Sequence, residues 1–582
     1  MKQTKPLMSG LLICIVLLGF LFRLVRVADI PPGLNRDEAA IGYTAYSLLK
    51  TGKDEYGKSW PLSLKSFGDW KLPGYVYITI PSVALFGLSE FAVRFPSVLA
   101  GTLTILLSYL IVKELFKNKT LALVSALLLA ISPWHIFFSR VTSEANMAVF
   151  ETTLAFWFLL EARQKHWLIP VSFVILALTL LTYHGNHVFT PLLFLLFLWF
   201  FKDLWKYKKG KIGLGLFAIM TLGIFSITLF SADKTKISGL FSLNDESLIH
   251  EQIVKNRLIY TNPILARLFN NKLIFIVEQI AQNYVKSFSP EFLFIRGGGN
   301  KQHNIADFGN LYLVEAPFIL IGLYLLFARR EKSALLLLGW ILFSAVGPAL
   351  TKDAPHSARQ FAIFPALTWV TAYGLTSLIQ LVKNNQLRKL VGSVIVLLFI
   401  INASVFFARY FVLFPYKAYA DWGAGYKEMI TKVKANKNNY EEIFINRPDY
   451  SPYIYYLFYQ KSDPTLVQTT LEHYPETSEG FSHVKRFDGI TYTKLAWANE
   501  LLIPNRLYVD WAESVPNGAT NSATFISKTE LTKLKADGED TSEIRLGDYV
   551  TSRIVDKVLL PDQTPFLYLI ETRIGTPSAT SL

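Results

Sequence analysis

Residues 94–131 read RFPSVLAGTLTILLSYLIVKELFKNKTLALVSALLLAI, and the pattern of this stretch decides the fold. Two apolar runs, centred near residues 103 and 128, flank a short connection that carries Lys113, Lys117 and Lys119. A hydrocarbon core roughly 30 Å thick is crossed by a helix of about 20 apolar residues. The stretch therefore predicts two transmembrane helices joined by a basic loop.

The same alternation of apolar runs and short connections continues over residues 1–412. Of the 582 residues, 52% are hydrophobic and only 18% are charged, and the mean hydropathy of +0.32 is too high for a soluble protein of this length. The apolar runs are centred near residues 18, 103, 128, 153, 176, 195, 221, 319, 340, 370 and 400. They predict a polytopic α-helical membrane protein with about eleven transmembrane helices.

Basic residues gather in every second connection, as around Lys113, Arg163, Lys208, Arg329 and Lys389. By the positive-inside rule these connections and the N-terminus are cytoplasmic, so the protein is expected to be a multi-pass protein of the cell membrane. The net charge of +14 lies in these loops rather than on one amphipathic face, so no nucleic-acid partner is expected. The outward segments are then residues 31–91 (the first outward loop), 132–143, 183–188, 232–308 (the long outward loop), 351–357 and everything after 412.

The composition becomes that of a soluble protein near Pro415, so residues 413–582 are predicted to form an extracytoplasmic α/β domain. Its predicted elements are a strand at Glu442–Asn446, a helix at Tyr453–Tyr459, and strands near 506–510, 548–559 and 566–572. The single cysteine, Cys14, lies in the first apolar run, which excludes an intrachain disulfide.

Two adjacent acids, Asp37 and Glu38, follow the first apolar run at the start of the first outward loop. One interpretation is an acidic active site at the membrane surface. The other is helix capping, with Asn35 as N-cap and both acids in the first turn, where the helix dipole favours negative charge. Position alone does not separate the two.

Other polar residues fall at the same outward surface. Lys71 precedes a Pro-Gly break, where it either holds a phosphate or extends along the membrane interface beside Trp70. Glu144 opens a span, and Arg140 four residues earlier offers it a local salt bridge as an alternative to function. His184 lies in the short third outward loop, where interfacial polar residues are common.

Residues 353–359, DAPHSAR, predict an anion site. Pro355 suits the first position of a helix, which would place His356 and Arg359 on one face at an outward helix N-terminus. Further upstream, the run from Arg296 to His303 contains three consecutive glycines and is interpreted as a lid or a flexible linker.

Three stretches together resemble a known family: Arg36-Asp37-Glu38 through Gly42-Tyr43, the element Lys71-Leu72-Pro73, and Arg94 to Gly101 followed by a span. They are similar to the polytopic family 39 glycosyltransferases of the GT-C class, which include protein O-mannosyltransferases and the transferases that put aminoarabinose on lipid A. The resemblance implies that Asp37 is the catalytic base, that Lys71 contacts a lipid phosphate and that Glu144 is a second acid of the site. Some members also involve a divalent cation, for which Asp37 and Glu144 would be the candidate ligands.

The expected function is transfer of a sugar, with inversion, from a polyprenyl-phosphate donor to a hydroxyl group of a protein, lipid or glycan acceptor on the extracytoplasmic face. A lipid-linked glycan polymerase or ligase is the alternative enzyme. A transporter or flippase is the alternative outside enzymology, although the charges lie at the outer surface rather than in the middle of the membrane. The candidate residues are Asp37, Glu38 and Glu144 for catalysis, Lys71, His356 and Arg359 for the donor phosphate, and Tyr43, Arg140 and His184 for other substrate contacts.

Overall fold

The computed structural model of the protein describes residues 4–67, 69–230, 246–259, 261–305, 307–477, 481–536, 541 and 544–575. Each of the eleven predicted apolar runs is helical. The helices are Thr4–Leu24, Glu90–Phe116, Lys119–Ile131 with Pro133–Ser139, Glu144–Glu161, Leu168–Thr182, Asn186–Phe200, Lys208–Phe230, Ala316–Ala328, Ala334–Ser344, Ala366–Leu381 and Asn385–Ala408.

By length and composition, three helices of the described residues are able to cross a membrane: Glu90–Phe116, Lys208–Ile227 and Asn385–Lys417. A fourth span results if Lys119–Ile131 and Pro133–Ser139 are counted as one helix bent by 60°. The bend falls where Ser132 ends one helix and caps the next, whose first residue is Pro133. Six further apolar helices are shorter, so the number of eleven spans and their orientation stay predictions.

Both long outward segments contain regular structure. In the first outward loop, a helix at Arg36–Thr51 is followed by an antiparallel pair of strands, Leu64–Ser66 and Asp69–Lys71, and by a helix at Pro73–Phe86. The long outward loop contains helices in its described part. Asn262 and Asn271 cap two of its helices, whose charged residues lower the hydropathy. Its elements are helices Glu246–Leu258, Pro263–Phe269 and Lys272–Lys286 and a π-helical turn at Glu291–Ile295.

The predicted domain boundary at residue 413 falls inside a helix, because Asn385–Ala408 continues through a π turn to Lys417. The predicted C-terminal elements are confirmed: strands at Glu442–Ile445, Arg506–Trp511, Tyr549–Leu559 and Pro565–Ile574, and a helix at Tyr453–Gln460. The four strands belong to an eight-stranded sheet in which Glu442–Ile445 runs parallel to both of its neighbours. The other strands, in sheet order around these, are Glu472–His473, Val484–Phe487, Ile490–Tyr492 and Asn521–Phe525; shorter helices are Ala424–Asn436, Pro464–Thr470, Trp497–Glu500 and Lys528–Ala536.

The C-terminal sheet and the first outward loop share one hydrophobic core. The helix Tyr453–Gln460 packs against Arg36–Thr51, and Gly42 permits this close approach: a Cβ atom there would lie 2.7 Å from Phe458 Cε2 and 2.5 Å from Val93 Cγ1. Tyr43 strengthens the contact, since its hydroxyl donates a hydrogen bond of 3.1 Å to the carbonyl of Ser462. The packing fixes the start of the helix Arg36–Thr51, and with it Asp37.

Candidate active site

A cavity of about 590 Å³ lies where the first outward loop meets the helix starting at Glu144, the segment 183–188 and the segment 351–359. Six of the nine predicted site residues line it: Asp37, Lys71, Glu144, His184, His356 and Arg359. Other parts of its lining are apolar, including Val188 and Phe225. Residues that the prediction placed on separate outward segments therefore meet at one site.

The adjacent acids at the start of the helix Arg36–Thr51 have different surroundings. Glu38 and Asn35 form a capping box. The backbone N–H of Glu38 donates to Asn35 Oδ1 at 2.9 Å, and the backbone N–H of Asn35 donates to Glu38 Oε2 at 3.4 Å. The same carboxylate pairs with the fully buried Arg94 through two bonds of 2.8 and 3.1 Å. Glu38 is 1% exposed and lies outside the cavity lining, so the structure does not bring it together with the other predicted catalytic residues.

Asp37, in contrast, faces the cavity, and its side chain is 56% exposed. The neighbouring strand Asp69–Lys71 brings Lys71 to it, and the two side chains form an ion pair of 2.6 Å between Nζ and Oδ1. Lys71 is 8% exposed and its ammonium lies 5.4 Å from the centre of the Phe67 ring. His184 contacts the same strand, with its Nε2 atom 3.2 Å from the carbonyl oxygen of Trp70.

The helix that was predicted to start at Pro355 is absent there, because residues 353–360 form turns and the helix begins at Ala366. Side chains take the place of helical hydrogen bonds: the backbone N–H of Arg359 donates to His356 Nδ1 at 3.3 Å. The Arg359 guanidinium pairs with Asp353 and donates to Thr351 Oγ1 at 2.7 Å. Burial opposes ionisation of Asp353, but the charge and the hydrogen bond of Arg359 outweigh it and lower the pKa of this carboxyl.

His303 is a cavity residue that the site prediction missed. It comes from the glycine-containing run of the long outward loop, and its Nδ1 lies 3.3 Å from His356 Nε2. Burial lowers the pKa of His303 to about 4, against the nearby charge of Asp37, and burial with His303 and Arg359 holds the pKa of His356 well below its usual value. The only sequence signal was a histidine in an outward segment, which does not reveal its partner.

Two predicted substrate residues lie away from the cavity lining. Tyr43 is fully buried and bonded to the C-terminal domain, as described above. Arg140 is also fully buried: its guanidinium donates to the carbonyls of Phe22 (2.9 Å), Arg23 (3.1 Å) and Ile30 (3.2 Å). Arg140 therefore stabilises the end of the first helix. These bonds are neither the predicted substrate contact nor the alternative salt bridge with Glu144.

Within the described residues, no group of three or more histidine, cysteine, aspartate or glutamate side chains is arranged to hold a metal ion. The carboxylate of Asp37, one of the two candidate ligands, is paired with an ammonium group instead. We therefore assign no step of the chemistry to a metal.

Comparison with known proteins gives matches at two levels. Residues 71–227 match the family described as dolichyl-phosphate-mannose-protein mannosyltransferase. A putative mannosyltransferase of Bacillus subtilis (strain 168), YkcB, is 32% identical over 108 residues, which make up 18% of this chain. The match spans only 15% of the length of that relative.

Among solved structures, the protein is similar to ArnT from Cupriavidus metallidurans bound to undecaprenyl phosphate, with a TM-score of 0.52 and 12% identity. The apo form of ArnT gives a TM-score of 0.53 at 11% identity. Both alignments cover 96% of this chain and 98% of ArnT. Residues 71–227 therefore match a mannosyltransferase family, and the chain as a whole shares the fold of ArnT.

Proposed function

We propose that the protein transfers a sugar from a polyprenyl-phosphate carrier to a hydroxyl group of an acceptor at the extracytoplasmic surface of the cell membrane. One observation carries the proposal: a single cavity brings the carboxylates of Asp37 and Glu144 together with the cations of Lys71 and Arg359. Sugar transfer from a lipid phosphate needs both, a base for the acceptor and positive charge for the leaving group. The structural relative ArnT was solved with undecaprenyl phosphate, a polyprenyl phosphate.

Asp37 is the proposed general base. Its carboxylate takes the proton of the acceptor hydroxyl as the oxygen attacks the anomeric carbon of the sugar. The bond from that carbon to the phosphate oxygen breaks on the opposite face, and its electron pair leaves with the polyprenyl phosphate. One displacement inverts the configuration of the sugar. Glu144, at the first position of its helix, is the second acid and is proposed to bind hydroxyl groups of the substrates.

Lys71 and Arg359 are the proposed contacts of the donor phosphate. An ammonium group carries three N–H donors, so Lys71 is able to hold Asp37 and a phosphate oxygen together and thereby align the base with the leaving group. Arg359 pairs with Asp353, and its planar guanidinium suits bidentate contact with phosphate when the donor binds. Both cations stabilise the negative charge that grows on the leaving phosphate.

The apolar part of the lining suits the lipid end of the donor. Val188, Phe225 and Gly347 lie in the same cavity as the charged residues. A volume of about 590 Å³ is in the range of small-molecule sites, large enough for a sugar phosphate and the first isoprene units. The acceptor is proposed to be a protein, lipid or glycan that reaches Asp37 from the extracytoplasmic side.

Binding and turnover of purified protein test the proposal. With undecaprenyl phosphate as the ligand, Lys71→Ala and Arg359→Ala should each weaken affinity about tenfold or more, because each removes a charged hydrogen bond. Lys417→Ala is the matched control, since Lys417 is an exposed cation that pairs with Asp307 outside the cavity. Wild-type affinity in both cavity variants would contradict the assigned phosphate site.

The same protein, supplied with an undecaprenyl-phosphate sugar and candidate acceptors, should release undecaprenyl phosphate and give a product of inverted anomeric configuration. A transporter or flippase would move the donor without cleaving it. A polymerase or ligase would cleave it only with a lipid-linked glycan as the acceptor or donor.

A further inference from the structure

We propose that His303 is a further residue of the donor site, a neutral imidazole whose Nε2–H donates a hydrogen bond to the leaving phosphate. His356 is then a positioning residue that fixes this tautomer, in place of the direct phosphate contact that the sequence predicted for it. The inference rests on the proposed function, because the phosphate is that of the polyprenyl donor.

The backbone N–H group of Arg359 fixes the tautomer of His356. It donates to His356 Nδ1 at 3.3 Å, and a backbone N–H is only able to donate. His356 Nδ1 therefore carries a lone pair rather than a proton. In the neutral imidazole the proton then lies on Nε2.

The tautomer of His356 in turn determines the tautomer of His303. His356 Nε2 lies 3.3 Å from His303 Nδ1, within hydrogen-bond distance, whereas the nearest oxygen of Asp353 is 3.6 Å away. Because His356 Nε2 holds the proton, it is the donor, and His303 Nδ1 accepts. The proton of a neutral His303 must consequently lie on Nε2.

Both rings are neutral near pH 7, since burial and the charge of Arg359 lower the pKa of each. The charged groups around His303 are Asp37 and Asp353, which favour its protonation, and Arg359, which opposes it. His303 is therefore a hydrogen-bond donor that keeps its proton, and it does not act as a general acid.

The Nε2–H of His303 is placed for a ligand. His303 lines the cavity, and within the described residues no protein group accepts a hydrogen bond from this atom. The ring stacks on Phe138 with centroids 6.1 Å apart. Its segment is anchored on both sides, because Gln302 donates to the carbonyl of Asp421 at 2.9 Å and Asn304 Oδ1 accepts from the N–H of Gly298 at 2.8 Å.

Such an anchored donor acts mainly in the transition state. As the bond to the sugar breaks, the phosphate changes from a diester with one negative charge to a monoester that carries more. A fixed N–H group stabilises that added charge without moving, so its hydrogen bond is stronger to the departing phosphate than to the donor substrate. The site should consequently hold undecaprenyl phosphate, the product, through His303.

The first test compares two substitutions at one position by measuring the affinity of the full-length protein in detergent for undecaprenyl phosphate. His303→Phe keeps a flat ring on Phe138 but has no N–H, and it should weaken binding about tenfold or more. His303→Gln restores an N–H donor and should stay within a few fold of the wild type. Equal affinity in the wild type and His303→Phe, with both proteins folded by their thermal unfolding curves, would overturn the inference.

The second test separates positioning from contact. His356→Phe should weaken binding to about the same extent as His303→Phe, and the double variant should show no further loss, because both changes remove one hydrogen bond. Additive losses would mean that His356 binds the phosphate directly, which contradicts the relay. Arg359→Ala separates the two proposals: weaker binding in it together with unchanged binding in His303→Phe overturns only this inference, whereas unchanged binding in Arg359→Ala and Lys71→Ala overturns the proposed phosphate site itself.

Discussion

Asp37 and Glu38 are neighbours in the chain, but their side chains have different surroundings. Glu38 is buried against Arg94 and closes the capping box with Asn35, while Asp37 turns into the cavity and meets Lys71. The capping interpretation is confirmed for Asn35 and Glu38. The active-site interpretation stays a proposal, and it applies to Asp37 alone.

Glu38→Gln should damage folding rather than catalysis. The change removes the negative charge that compensates the fully buried Arg94, and breaking a buried pair in this way costs roughly 3–5 kcal/mol. We expect a clearly lower thermal unfolding temperature with little change in the turnover of the protein that remains folded. Glu513→Gln is the control, because Glu513 is 73% exposed in its pair with Arg447 and should leave stability nearly unchanged. A Glu38→Gln protein that is as stable as the wild type would disprove the assignment.

Much of the site was predictable at this scale, because the predicted topology puts Asp37 and Lys71 on an outward segment and Glu144 and Arg359 within two residues of one. What was not predictable is burial, since it depends on distant parts of the chain. Arg140 bonds to backbone carbonyls more than a hundred residues away, and His303 finds its partner 53 residues later.

At the scale of elements, apolar runs and alternating strands were read correctly, because their signals are local. The five predicted C-terminal elements agree with the structure to within about two residues, while the helix start at Pro355 does not. There, hydrogen bonds among Asp353, His356 and Arg359 stabilise a turn that helix-capping patterns do not describe. The local sequence was enough to predict where the strands lie, whereas the turn at residues 353–360 depends on tertiary contacts.

The contact between the first outward loop and the C-terminal domain contains a buried acid. Glu55 is 4% exposed and lies 3.4 Å from the hydroxyl of Tyr453. Burial, with the charge of Asp54, raises the pKa of Glu55 from 4.5 to about 8. Between these two values the folded protein keeps the proton that the unfolded chain releases, so the folded state binds more protons and loses stability as the pH rises.

The thermal unfolding temperature should therefore fall as the pH is raised from about 4.5 to 8, and Glu55→Gln should reduce this fall and be the more stable protein at pH 8 by several degrees. Glu472→Gln, at an exposed position of the C-terminal sheet, serves as the control. If Glu55→Gln and the wild type show the same pH dependence, the buried acid is not the source.

At the scale of the whole molecule, the basic connections predict that the N-terminus is cytoplasmic and that the C-terminal domain faces outward. The structure adds that this domain packs on the first outward loop, which supplies Asp37 to the cavity. A reporter enzyme that is active only outside the cytoplasm should be active when fused after Leu582 and inactive when fused before Met1. The reverse pattern would place the cavity on the wrong side of the membrane for the proposed donor and acceptor.

The proposed mechanism depends most directly on Asp37 as the base of sugar transfer, so the decisive measurement is the turnover of Asp37→Asn with an undecaprenyl-phosphate sugar and its acceptor. The substitution keeps the shape of the side chain, and the cap of the helix is formed by Asn35 and Glu38, so the helix start is retained. It removes the charge that faces Lys71, so thermal unfolding and affinity for undecaprenyl phosphate are measured beside turnover. We expect release of undecaprenyl phosphate to slow by about a hundredfold or more, because an amide does not take the proton of the acceptor. An Asp37→Asn protein that transfers sugar at nearly the wild-type rate would contradict it.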